Sequence, residues 1–167
     1  MGLWAVDLLA WVERAMNVVL VEPQIPPNTG NIARLCAATC LPLHLVGRLG
    51  FRVTDRQLKR AGLDYWDYAQ INRHPSVEKF FQELSSDQLF FFSKKGQEPY
   101  IHANYREGNF LVFGSETNGL PEWVFERYSD RIWRIPICHP KVRSLNLASA
   151  VSIVVYEALR QTGKLAR

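Results

Sequence analysis

Short apolar runs of strand length recur along this chain, each followed by a breaker and then by helical spacing. That alternation constrains the fold more than any other feature, because strands buried on both faces need helices on both sides. Asn17–Val21 opens the series as a buried strand. Pro23, Pro26 and Pro27 then force a loop, and Asn28 is a suitable N-cap for a helix to about Thr39. Leu41–Val46, Ala69–Arg73, Gln88–Ser93, Asn109–Phe113 and Arg131–Ile135 read as further strands, with a polar loop from the fourth of these six strands to about Gly108. Thr54 to Gln57 form a capping box opening a short basic helix to Ala61. Pro75 stands at the first position of an amphipathic helix to Leu84, whose face carries Val77, Phe80, Phe81 and Leu84. Pro121 opens a short helix, and Leu145–Gln161 forms the longest, stopped by Gly163. The expected fold is α/β, a mainly parallel sheet flanked by helices, without repeats or a second domain.

A chain of 167 residues suits one such domain. With 47% hydrophobic and 22% charged residues, a disordered or fibrous chain is excluded. Residues 1–15 stand apart. The apolar stretch from Gly2 to Val12 is too short for a bilayer, which needs about 20 residues. It also lacks a basic lead and a small-residue cleavage site. Residues 1–15 are therefore expected to be an extension outside the fold, and 16–167 the domain, with no membrane partner. Cys36, Cys40 and Cys138 make an odd count without zinc spacing, so they read as buried free thiols of a reducing, cytoplasmic setting, with no metal.

Lys and Arg outnumber Asp and Glu by 20 to 16. Arg48, Arg52, Arg56, Lys59 and Arg60 are concentrated against one acid, Asp55, a pattern suited to tracking a phosphate backbone, with Tyr65 and Trp66 beyond to stack bases. The same pattern also describes a solvated charged face.

Ligands of parallel sheets gather at the carboxyl ends of the strands. Three loops there hold polar residues. In residues 26–34 a helix start offers free N–H groups, Gly30 and, one turn in, Arg34. In residues 113–121, Gly114 and Gly119 flank Glu116. In residues 135–150, Arg143, Ser144 and Asn146 precede a helix rich in small residues. Each also fits a capped helix or a plain turn. No GxGxxG, GxxxxGK[ST] or GxSxG occurs, which argues against an ordinary dinucleotide, nucleoside-triphosphate or hydrolase site. His44 reads as a core histidine, and Phe90–Phe92 as core.

Taken together, in order and spacing, these segments resemble the SPOUT methyltransferases, which carry a trefoil knot, and most closely the small tRNA wobble-nucleotide ribose 2′-O-methyltransferases. The resemblance runs from Met16 to Lys164. It rests on Glu22-Pro23 with Ile25 to Ile32 and Arg34-Leu35-Cys36, on Arg60 to Tyr65, on Phe113 to Glu116 with Gly119 to Pro121, and on Arg143 to Leu147 running into Tyr156 to Ala158. It implies a C-terminal knot, a homodimer, and transfer of a methyl group from S-adenosylmethionine to the ribose 2′-hydroxyl of nucleotide 34, cytidine or uridine, of tRNA. The cofactor would lie against Phe92, Gly114, Gly119, Ile135, Ser144 and Leu145. Glu116 and Asn146 would line the transfer site, and Arg34 would hold a substrate phosphate or ribose. Arg34, Arg52, Arg56, Lys59, Arg60, Arg143 and Tyr156 would face RNA. Residues 1–15, a longer loop 137–142, and Ala148-Ser149 in place of Ser-Asn depart from the pattern. Another RNA, such as ribosomal RNA, or a non-catalytic RNA-binding module are the alternative readings.

Overall fold

The computed structural model describes residues 15–52, 65 and 68–165. Seven strands form one sheet: β1 (Asn17–Val21), β2 (Leu43–Val46), β3 (Ile71–His74), β4 (Leu89–Phe92), β5 (Glu98–Pro99), β6 (Phe110–Phe113) and β7 (Ile132–Arg134). Their order is β3-β2-β1-β6-β4-β7-β5, and every pairing is parallel. Four α-helices cover it among the described residues: α1 (Pro26–Thr39), α2 (Val77–Gln82), α3 (Glu122–Arg127) and α4 (Leu147–Gln161).

The apolar strands are buried on both faces, as continuous runs rather than alternating ones imply. In β1, Val18 and Leu20 face the core under α1 and α4, with Ile32, Cys36, Val151 and Val155. Val19 and Val21 face the opposite core, built with Phe80, Phe81, Val124 and Tyr128 from α2, α3 and the turn after α3. Phe90 and Phe92 divide from Phe91 in the same way, so the aromatic run feeds both layers. The expected three-layer α/β sandwich is what forms.

Several local expectations shift. The cap of α1 is Ile25, with Pro26 and Pro27 in the first turn, because a proline at the start of a helix removes no needed hydrogen bond. Asn28 is thus inside the helix and buried, not its cap. Ser76, not Pro75, precedes α2, and its hydroxyl accepts from the Lys79 N–H. α4 begins at Leu147, capped by Asn146, whose side chain accepts from the Ala148 and Ser149 N–H groups. At its far end Gly163 takes φ 70°, and the Gly163 and Lys164 N–H groups bond the Arg160 and Leu159 carbonyls, the glycine stop expected there. The loop before Gly108 also holds β5 and a 3-10 turn, Tyr100–His102. Of the cysteines only Cys36 is buried, where burial pushes its thiol up; Cys40 and Cys138 are exposed. Ala15, the last residue of the expected extension, is packed in the core. Residues 1–14 and the 54–61 helix lie outside the described residues.

The chain runs outward through β1, β2 and β3, then returns to the other side of β1 for β4 and beyond. The order in which strands are added therefore reverses at β1–β6, where open parallel sheets form a crevice.

His44 is satisfied as expected. Its Nδ1 lies 3.0 Å from His74 Nε2 and its Nε2 3.1 Å from Asn17 Oδ1, beside Phe80 and Phe110. Burial, with a smaller effect from His74, lowers its pKa from 6.5 to about 4. The unfolded chain thus binds a proton between these values that the folded chain does not. Stability should fall as pH drops from about 6.5 towards 4, by roughly 2 kcal/mol. Urea midpoints across that range should show the slope, and His44→Gln should flatten it.

Candidate active site

The loops that follow β1, β4, β6 and β7 meet at the carboxyl edge of the sheet, because β1, β6, β4 and β7 are neighbours. Between them lies a cleft of about 770 Å³. Phe92, Phe113, Ile135 and Leu147 give it apolar walls, and Ser144, Asn118, Lys95 and Arg143 line it with polar groups. That volume falls within the range of pockets that hold small molecules, about 300–1,000 Å³.

The loop after β6 is folded back on itself. The Ser115 N–H donates to the Gly119 carbonyl, 3.1 Å, and the Gly119 N–H to the Ser115 carbonyl, 2.9 Å. Asn118 N–H donates to Ser115 Oγ, 3.2 Å. Gly119 holds φ 69°, and any Cβ on Gly114 would overlap the Gly119 carbonyl and the Leu120 nitrogen. Both glycines are therefore needed for the shape of this loop.

Glu116 projects from it towards the start of α1. Its Oε2 accepts from the Gln24 N–H, 2.8 Å, and its Oε1 from the Ile25 N–H and from Asn28 Nδ2, both 3.1 Å. Asn28 in turn accepts, through Oδ1, from Asn146 Nδ2 at 2.9 Å. Asn146 Oδ1 caps α4. One chain of hydrogen bonds, Glu116–Asn28–Asn146, thus ties the start of α1, the loop after β6 and the start of α4 into one frame. Asn28 is 7% exposed, so its amide is committed to these partners. A buried amide bridge of this kind rigidifies only while every member is paired.

The structure brings together most of the residues singled out from sequence. Phe92, Gly114, Gly119, Ile135, Ser144, Leu145, Glu116, Asn146 and Arg143 all line the cleft. Arg34 does not; it stands exposed on α1, its guanidinium 4.9 Å from the centre of the Tyr65 ring. Tyr156 is exposed on α4, away from the cleft, and Arg52 is exposed after β2. Arg56, Lys59 and Arg60 lie outside the described residues. Sequence reasoning missed Asn28, read there as a helix cap, and Lys94 and Lys95 in the loop after β4.

An all-parallel sheet with such a cleft at its reversal point defines an α/β domain built to hold a nucleoside-sized molecule at its strand ends. The sequence model of the SpoU rRNA methylase family matches residues 15–156, and the chain belongs to that family. The tRNA (cytidine(34)-2′-O)-methyltransferase of Escherichia coli K12 is 44% identical over 149 residues, 89% of this chain and 94% of that protein. A solved structure concerned with 2-OH methylation of C/U34 on tRNA superposes with a TM-score of 0.83 at 45% identity, covering 89% of this chain and 96% of that one. An AdoMet-bound rRNA methyltransferase from Sinorhizobium meliloti superposes with a TM-score of 0.77 at 28% identity, covering 87% of this chain and 56% of that one.

Proposed function

We propose that this chain methylates the ribose 2′-hydroxyl of the wobble nucleotide, position 34, of tRNA, with S-adenosylmethionine as methyl donor. The observation that carries the reading is the cleft itself, formed by the four strand-end loops and braced by the Glu116–Asn28–Asn146 chain. Relatives that align with most of this chain at 44–45% identity are named for that reaction.

The cleft suits the donor. Its apolar walls, Phe92, Ile135 and Leu147, fit a purine face, and Ser144, Leu145 and the Gly114–Gly119 loop offer backbone and hydroxyl groups to the rest of a nucleoside. When bound, S-adenosylmethionine supplies a methyl group already activated on a sulfonium. The protein's task is then to align the hydroxyl and relieve it of its proton; alignment alone can contribute about 7–11 kcal/mol to such a step. Arg34 holds a phosphate or ribose of the substrate; its guanidinium cannot accept the proton. Of the two acceptors for that proton, Glu116 and a substrate phosphate, the geometry favours the phosphate, because both Glu116 oxygens already accept from the α1 start. Glu116 and Asn146 then keep the transfer site in shape, and Arg143 faces RNA at the cleft mouth.

Arg34 stands outside the cleft of its own chain, which supports a homodimer whose second copy brings Arg34 to the site, with Tyr156 at the contact or on tRNA. Arg52, Arg56, Lys59 and Arg60 extend the RNA surface. The C-terminal trefoil knot, the stretch before Ala15 as an addition to the working domain, and a cytoplasmic place belong to the same reading. No described helix is long and apolar enough to cross a membrane.

The test is methyl transfer from labelled S-adenosylmethionine to tRNA from a strain lacking the corresponding enzyme, read by nucleoside mass spectrometry. A 2′-O-methylated pyrimidine is expected. Cofactor binding with label on ribosomal RNA alone would replace the tRNA reading, and no cofactor binding would leave an RNA-binding module.

A further inference from the structure

Arg34 is exposed on α1 and packs against an aromatic ring. Among the described residues its contact is the face of Tyr65, 4.9 Å from guanidinium carbon to ring centre, and not a carboxylate. The difference matters for what the arginine is free to do. A carboxylate partner would occupy the fork of N–H donors; an aromatic ring takes the flat face and leaves the fork open. Tyr65 is itself anchored, because its carbonyl accepts from the Tyr68 and Ala69 N–H groups, 3.1 and 3.2 Å, in the turn that leads into β3. The ring is 42% exposed, so it is not part of the core. Tyr68, three residues further on, is 78% exposed.

We propose that Tyr65 is a positioning residue for Arg34: its ring fixes the plane of the guanidinium and presents the open donor fork to a phosphate of the RNA. This rests on the function proposed above. It gives Tyr65 a different task from the base stacking suggested by its sequence position.

The contact depends on the negative face of the ring, which sets the test. Steady-state methyl transfer to tRNA would be measured for Tyr65→Phe, Tyr65→Leu, and variants carrying phenylalanine with one, two, three or five ring fluorines at position 65. Tyr65→Phe should keep kcat/KM within about twofold. Tyr65→Leu should lose about three- to tenfold, in line with a partly exposed cation–π contact. The fluorinated series should decline stepwise as the ring face loses its negative potential, with S-adenosylmethionine affinity unchanged by calorimetry. In an Arg34→Ala background, measured at single turnover, Tyr65→Leu should cost nothing further.

A full additional loss in that background would overturn the proposal and make Tyr65 a direct RNA contact. Leucine as active as phenylalanine would overturn it too, as would activity indifferent to fluorination. If the wild-type chain transfers no methyl to any RNA, the function reading has failed instead. Tyr65 is then tested on RNA affinity in the same cycle, where independence of Arg34 again refutes the link.

Discussion

Gly114→Ala is expected to abolish measurable binding of S-adenosylmethionine and to lower the melting temperature by about 5–10 °C. A methyl group at position 114 would stand inside the Gly119 carbonyl and against the Leu120 nitrogen, all backbone. No rotamer relieves that overlap, so the loop after β6 must open, breaking the paired Ser115–Gly119 hydrogen bonds. Overpacking of this kind costs about 1–3 kcal/mol or more, and each kcal/mol moves the midpoint of a domain this size by roughly 2–4 °C. The contrast is Gly119→Ala, where a methyl group meets nothing within 4 Å and only the left-handed backbone, φ 69°, is strained. That variant should lose about 1–2 kcal/mol and keep weakened cofactor binding. Calorimetric titration and thermal unfolding of the two proteins side by side would check the order, and equal behaviour would mean that the loop is not held as described.

Asn28→Leu is expected to lower kcat/KM by about 100-fold or more while the fold survives. Leucine matches asparagine in size but removes both ends of the bridge. Asn146 Nδ2 loses its acceptor and Glu116 Oε1 loses a donor. Leaving such groups unpaired costs about 1–3 kcal/mol, a loss the domain tolerates. If that frame sets the proposed transfer site against the cleft, the rate does not tolerate it, because misplacement by about 1 Å can cost 100-fold in rate. Asn28→Asp separates the two halves of the bridge. It restores an acceptor for Asn146 but sets a second carboxylate near Glu116. Its deficit in stability should shrink as pH falls, since a proton shared between the two acids relieves their repulsion. Steady-state kinetics for the leucine variant, and urea midpoints against pH for the aspartate variant, test both statements.

The architecture was legible because its signal is periodic. Runs such as Val18–Val21 and Phe90–Phe92 are buried on both faces, and only a parallel sheet between two helix layers hides them. The strand-end loops were legible too, since Gly114, Glu116, Ser144 and Asn146 are turn and capping residues at the end of apolar strands. The link between them was not. Asn28 carries the ordinary signature of a helix cap, and nothing local distinguishes an asparagine that caps its own helix from one that bonds residues 88 and 118 positions away. Prolines took over the helix start and released Asn28 for that work. Arg34 could be singled out from its place one turn into a helix, but its partner across space, Tyr65, lies on a segment whose sequence suggested RNA stacking. The basic segment around Arg56, Lys59 and Arg60 remains a matter of sequence, outside the described residues.

The most direct experiment supplies the protein with labelled S-adenosylmethionine and two synthetic tRNAs that differ only in a 2′-hydroxyl or a 2′-hydrogen at position 34. Transfer to the first and none to the second is expected, with the label recovered in the wobble nucleoside. Equal transfer to both would place the methyl elsewhere and contradict the assignment of this cleft to the wobble ribose.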